Sequence, residues 1–232
     1  MSSQRCTPPT RSSFRIRGGR CNSQSRGDWR WLLQVDGSRD DKVRESLAKC
    51  GALDDLRVRL AMNGTREGAA VSRNVALGRS TAPLIQTLDA DDLLEPDAIE
   101  TLAETLETHP DAGFAVGHAR DLLPSGELRS HVLPLQAGKL DLLLAVGGWS
   151  ALHGMEDIGL LMAASALADG VLIDKPTLRY RKHPAQQSSQ RSKFRGGGAQ
   201  IALVRRRVAV LAAGQAWCWY EKETATDERG PS

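Results

Sequence analysis

Apolar positions along this chain repeat with two periods that alternate. Trp29 to Val35 is a short apolar-rich run that stops at Asp36-Gly37-Ser38, where the Gly and Ser mark a turn. It reads as a strand. Val43, Leu47 and Cys50 then recur at spacings of four and three, with Gly51 as a stop, and predict a helix. Leu56 to Met62 alternates apolar and Arg positions, as a half-buried strand does. Gly68 to Gly78 reads as a helix containing Arg73 and Asn74. Pro83 to Leu88 is a short apolar run bounded by Pro, which suits a buried strand. A helix over about 97–108 follows, with Ile99, Leu102, Ala103 and Leu106 on one stripe and Glu100, Glu104 and Glu107 facing water.

Ala112 to Gly117 predicts another short strand, whereas residues 119–140 carry little pattern. Residues 155–169 read as a helix rich in Leu, Met and Ala, opened by Glu156-Asp157, and 171–180 as one or two short strands. A Gln-, Ser- and Gly-rich stretch over 184–198 reads as a loop or linker, and a basic amphipathic helix is predicted over about 200–219. Strands alternating with helices argue for an α/β protein with a mostly parallel central sheet flanked by helices.

Composition adds limits. A chain of 232 residues, 41% apolar and 25% charged, suffices for one domain with a sizeable core. The net charge of +3 implies no particular partner, but its distribution is uneven. Residues 1–30 hold seven Arg against one acid, with many Ser, Gly and Pro. Residues 1–28 therefore read as a disordered Arg/Ser-rich tail, 29–183 as the folded domain, and 184–232 as linker, basic helix and polar tail. No signal-like or membrane-spanning apolar run is present; the best attempt, Ile201 to Trp219, is broken by Arg205-Arg206-Arg207. The Cys at 6, 21, 50 and 218 form no C-x-x-C pair, so reduced thiols and a cytoplasmic location are expected.

The densest chemistry is Leu88-Asp89-Ala90-Asp91-Asp92, three carboxylates directly after a predicted strand. Like charges this close repel and need a positive partner. A hard divalent ion, Mg²⁺ or Mn²⁺, takes one or two carboxylates plus substrate phosphates. Acids at the carboxyl end of a strand also stand where open α/β sheets bind ligands. The plainer alternative is that Asp91 or Asp92 caps the next helix.

Five segments fall in order: Val35-Asp36-Gly37-Ser38, Gly68 to Leu77 with Ser72-Arg73-Asn74, Leu88 to Asp92, Gly147-Gly148-Trp149 followed by Glu156-Asp157, and Tyr180-Arg181-Lys182-His183-Pro184. Over residues 29–190 this series resembles the family 2 glycosyltransferases, nucleotide-diphospho-sugar enzymes with the Rossmann-like GT-A fold. The resemblance implies an inverting, metal-dependent transfer of a sugar from a nucleotide-diphospho-sugar to an unknown hydroxyl acceptor. It implies Asp36 and Arg73 as nucleotide contacts, Asp89 near the ribose, and Asp91 of the Asp-x-Asp pair on an Mn²⁺ or Mg²⁺ ion, with Asp92 in support and His183 as a further metal or diphosphate contact. It implies Glu156 in donor binding and Asp157 as general base. Residue types alone leave plainer roles open: an Asp-Gly turn for Asp36, a solvated helix residue for Arg73, a helix N-terminus for Glu156 and Asp157, an exposed loop for His183.

Two departures stand out. Such enzymes usually begin with an earlier apolar strand that ends in a Pro-x-Tyr-Asn-like turn and is followed by a helix, and nothing in 1–28 has strand or helix periodicity. The stretch between Gly126 and Gly147 is short. Two alternatives stand beside this reading: a truncated, catalytically defective glycosyltransferase-like protein, from these departures, and a basic nucleic-acid-binding protein, from the Arg-rich start and Arg205-Arg206-Arg207. The latter lacks aromatic interleaving and any recognised module, so nucleic acid is not the expected partner.

Overall fold

In the computed structural model, which describes residues 24–38, 41–132, 136–152, 154–183 and 197–214, the alternation resolves into defined elements. These are β1 (Trp31–Val35), α1 (Asp41–Lys49), β2 (Val58–Met62), α2 (Ala69–Gly78), β3 (Leu84–Gln86), β4 (Leu93–Leu94) and α3 (Ala98–Thr108). There follow β5 (Ala112–Leu122), β6 (Leu128–Val132), β7 (Ala137–Lys139), α4 (Leu140–Ala145), α5 (Glu156–Ser165), β8 (Asp169–Arg181) and α6 (Gly197–Ala212).

Strands β1 and β2 form a two-stranded parallel sheet, in register from Trp31 opposite Val58 to Val35 opposite Met62. A second sheet runs β3-β7-β5-β8-β4, with β6 also on β5. Its β5–β8 pairing is parallel and the rest are antiparallel. The sheet is therefore mixed rather than mostly parallel. The reason lies in 119–140, where β5 continues, turns back through Gly126 into β6, and is followed by β7; strands joined by a short turn pair antiparallel. Among the described residues β1 pairs with β2 alone and β3 with β7 alone.

Strand β5 is the centre. Residues Ala112–Gly117 are all buried, with helices packed on both faces. Phe114 and Val116 face Leu143, Val146, Leu160, Ala163 and Ala164 of the α4–α5 layer. Ala112 and Ala115 pack with Leu102 and Leu106 of α3 on the other side. Helix α2 bridges the two sheets, lying on β1 while Leu77 enters the α4–α5 core. The α4–α5 core also takes in Trp149, 5% exposed.

Two positions depart from the pattern. Residues 24–28, expected in the tail, pack on α3. Gln24 accepts a hydrogen bond from Ile99 N at 3.1 Å and donates to Glu95 O at 2.7 Å, which satisfies the start of a helix whose own N-cap residue, Asp97, makes no side-chain cap. Arg26 pairs with Glu107 at 2.9 Å. Residues 1–23, 184–196 and 215–232 lie outside the described residues, as does the end of the helix expected over 200–219.

Glu95 ties β4 to β8. It is 4% exposed and takes Arg179 at 2.7 Å as well as Arg120. Burial raises its pKa, but the two guanidiniums outweigh that and hold the carboxyl below its ordinary range. Removing one member of such a group leaves unmatched charge in the interior. Glu95→Ala is expected to lower the unfolding free energy by about 3 kcal/mol, measured by urea denaturation; a change within experimental error contradicts this account of how β4 is held.

Candidate active site

The cleft is built where strand ends meet the first turns of helices. The main chain leaving β3 is fixed by Thr87 N donating to Gln136 O at 3.0 Å. It then turns, with Asp92 N donating to Asp89 O at 3.1 Å. The three acids in this turn go to three different environments, so none of them caps the helix that follows.

Asp89 points at Arg73 of α2, with Arg73 Nη2 donating to Asp89 Oδ1 at 2.6 Å. The same guanidinium reaches Asp157 Oδ1 at 3.2 Å and stands 3.5 Å from Glu156. Burial lowers the pKa of Arg73, but Asp89, Asp157 and Glu156 raise it further, so it stays fully charged. Sequence reasoning looks to a metal ion to balance the strand-end acids; at Asp89 that charge comes from Arg73.

Asp157 stands in the first turn of α5, 84 residues along the chain from Arg73. Its Oδ1 also accepts the indole N–H of Trp149 at 2.9 Å. Loss of solvation raises its pKa, Arg73 pulls it back, Asp89 and Glu156 push it up again, and the net shift is upward. Glu156 accepts from Gly154 N at 3.0 Å and so also closes the start of α5.

Asp91 pairs with His183, Oδ2 to Nε2, at 2.9 Å. Arg181, at the end of β8, donates through Nε to Asp91 O at 2.8 Å and through its main-chain N to Asp92 Oδ1 at 2.9 Å. The end of β8 thus holds the acidic turn in place. Asp92 is 8% exposed, and burial, with Asp91 and Asp89 nearby, pushes its pKa up to about 8 against the bond from Arg181 N.

Asp36 stands apart from this group. Its Oδ1 accepts from Glu67 N at 2.7 Å and Gly68 N at 3.0 Å, at the start of α2. Helix α2 opens on Gly68, which has no side-chain cap of its own. Asp36, just past the end of β1, instead binds the two main-chain N–H groups that lead into the helix.

A metal fits in a restricted way. Among the described residues no group of three or more His, Cys, Asp or Glu could hold an ion. Asp91 and His183 offer a carboxylate and an imidazole, 2.9 Å apart. That donor set suits Mn²⁺ or Mg²⁺ bound together with phosphate oxygens, not an ion caged by protein.

Sequence reasoning named Asp36, Arg73, Asp89, Asp91, Glu156, Asp157 and His183. The fold gathers Arg73, Asp89, Glu156 and Asp157 around one guanidinium, sets Asp91 with His183 on the same turn as Asp89, and leaves Asp36 at the base of α2. Trp149, Asn74 and Arg181 lie in the quoted motifs, yet sequence reasoning assigned them no part. Only their position inside those motifs could have pointed to them.

Residues 20–152, more than half of the chain, match the profile of glycosyl transferase family 2. The chain belongs to that family. This chain is 36% identical over 88 residues, 37% of its length, to the glucosyl-dolichyl phosphate glucuronosyltransferase of Haloferax volcanii. It is 29% identical over 149 residues, 64% of its length, to the uncharacterized protein y4gI of Sinorhizobium fredii. It spans only 26% and 16% of those two relatives. Among solved structures it resembles S. aureus TarS 1-349 in complex with UDP-GlcNAc, at TM-score 0.64 and 17% identity, covering 86% of this chain and 63% of that one. A second TarS structure aligns at TM-score 0.59 and 15% identity, over 88% of this chain and 41% of that one. The architecture is the α/β GT-A fold with a mixed sheet. Among the described residues no helix is long and apolar enough to cross a membrane.

The raised pKa of Asp92 has a definite sign. Between about pH 4 and pH 8 the folded state keeps a proton that the unfolded state has released, so stability falls as pH rises through that window. In chelator-containing buffer, Asp92→Asn is expected to flatten the dependence of the melting temperature on pH between 4 and 8. An unchanged slope in the variant refutes the assignment.

Proposed function

We propose that this family 2 domain transfers a sugar from a nucleotide-diphospho-sugar to a hydroxyl acceptor, with inversion at the anomeric carbon. The observation that carries the reading is the single Arg73 guanidinium bridging Asp89, at the end of a sheet strand, and Asp157, at the start of α5. That bridge puts an acid of the donor-side turn and a candidate base in one cleft.

In this reading the acceptor oxygen attacks the anomeric carbon while Asp157 removes its proton. The raised pKa of Asp157 makes its carboxylate a better base than an ordinary Asp. The sugar–phosphate bond breaks on the opposite side, and its electron pair leaves with the diphosphate. Asp91 and His183 are the residues that would hold Mn²⁺ or Mg²⁺; when bound, such an ion neutralises charge on the leaving diphosphate. Asp89 lies near the ribose, and Glu156 supports the donor side. Arg73 keeps Asp89 and Asp157 at working distance, and a guanidinium, with five N–H donors, has others to offer a nucleotide oxygen. Asp36 contributes by fixing α2, the helix that carries Arg73.

The nucleotide-sugar donor is supported by the UDP-GlcNAc in the TarS structure. A lipid-phosphate-linked acceptor is one candidate, suggested by the name of the Haloferax volcanii relative. Titration calorimetry with UDP and Mn²⁺ tests the donor side. Binding is expected, weakened at least tenfold by Asp91→Asn; no heat with any common nucleoside diphosphate overturns the reading. Asp157→Asn is expected to reduce turnover by about 10²–10⁴-fold with UDP–Mn²⁺ binding retained, and near-normal turnover removes Asp157 from the chemistry.

A further inference from the structure

Asp157 is held by a second set of contacts that runs back to α2. The indole N–H of Trp149 and Arg73 Nη1 converge on the same carboxylate oxygen, Oδ1, at 2.9 and 3.2 Å. Trp149 is buried, and its ring lies 5.9 Å from the Arg73 guanidinium carbon. Its main chain is gripped on both sides by one residue. Trp149 N donates to Asn74 Oδ1 at 2.8 Å, and Asn74 Nδ2 donates to Trp149 O at 2.9 Å. A single amide side chain thus uses its acceptor and a donor on one residue 75 positions along the chain.

The chain before Trp149 is shaped for this grip. Gly148 has φ +64°, and a Cβ there would lie 2.2 Å from Asn74 Oδ1. Only glycine allows both the backbone conformation and the approach of the amide. Gly147 N and Gly148 N are anchored to Leu144 O and Leu143 O of α4 at 2.8 and 2.9 Å. The indole is therefore fixed from α2 and from α4. Asn74 is the next residue after Arg73, so one turn of α2 sets both donors that meet Oδ1.

We propose that Asn74 and Trp149 are positioning residues for the general base: the clamp aims the indole N–H at Oδ1 of Asp157 and leaves Oδ2 to take the proton of the acceptor hydroxyl. This rests on the reading of Asp157 as base. In the step, the O–H bond of the acceptor breaks as its oxygen bonds the anomeric carbon, the proton passes to Oδ2, and the bond from carbon to diphosphate oxygen breaks with its pair. The charged groups facing Asp157 are Arg73 from α2, Asp89 from the acidic turn and Glu156 beside it. The indole N–H is the neutral donor among them, and its bond favours the ionised carboxylate.

The test is a ¹³C NMR titration of the Asp157 carboxyl, assigned with Asp157→Asn, in the natural chain and in Trp149→Phe, which keeps a ring but loses the N–H. The midpoint is expected to rise by about half a pH unit or more. The rising limb of kcat/KM against pH is expected to move with it. Turnover falls, while KM for the donor changes less than about twofold because donor contacts are untouched. Asn74→Ala is expected to shift the midpoint in the same direction by less. A midpoint unmoved in Trp149→Phe overturns the clamp. If that variant does not melt cooperatively, Asn74→Ala decides, and an unmoved midpoint there overturns it equally. The two readings fail separately: an active Asp157→Asn removes the base, whereas the titration judges the clamp with no reference to turnover.

Discussion

Three carboxylates from two distant stretches of chain meet one guanidinium. Asp89 leaves the end of β3, Glu156 and Asp157 open α5, and Arg73 stands between them on α2. Without that cation the acids would repel one another at close range. With it they are held within a few ångströms, and the rest of the site is arranged around them. The strength of the arrangement comes from geometry as much as charge: a guanidinium is planar and presents its donors in a fixed fork, so it sets directions as well as distances.

The fold serves this constraint from several sides. Asp36 holds the main chain just ahead of α2, through Glu67 N and Gly68 N. Asn74 ties the same helix to Trp149. Arg181 and His183, at the end of β8, hold Asp91 and Asp92 so that Asp89 alone is directed toward Arg73. The buried Glu95 locks β4 onto β8 beneath that turn. Helix α2 matters most here, since it spans two sheets that share no strand pairing and carries residues bound to each side of the cleft.

Much of the fold was legible as pattern, and the exceptions have physical causes. Helices α1 and α3 follow apolar spacing, because each turns an apolar stripe inward, whereas α5 is marked by its Leu, Met and Ala content. Residues 119–140 were opaque: the last part of β5 is only half buried and β6 lies on its edge, so neither shows clean alternation. The mixed sheet could not be read either, because the direction of pairing depends on how connections pack, not on the strands themselves. Residues 24–28 look like tail by composition, yet Gln24 is buried, since the unsatisfied start of α3 needs a partner that α3 lacks.

The sequence by itself determined the order of elements, the residue types available for chemistry and, through five ordered motifs, the family. Local spacing and residue chemistry carry that information. Only the tertiary structure decided which acids share a partner. It gave Asp89 and Asp157 to Arg73, Asp91 to His183, Asp92 to a buried main-chain bond and Asp36 to a helix start. It also joined Asn74 to Trp149 and Trp149 to Asp157. Most of those pairings join residues far apart in the chain, and a carboxylate carries no local mark of the group it will meet; the packing of α2 against the strand ends and α5 makes the choice.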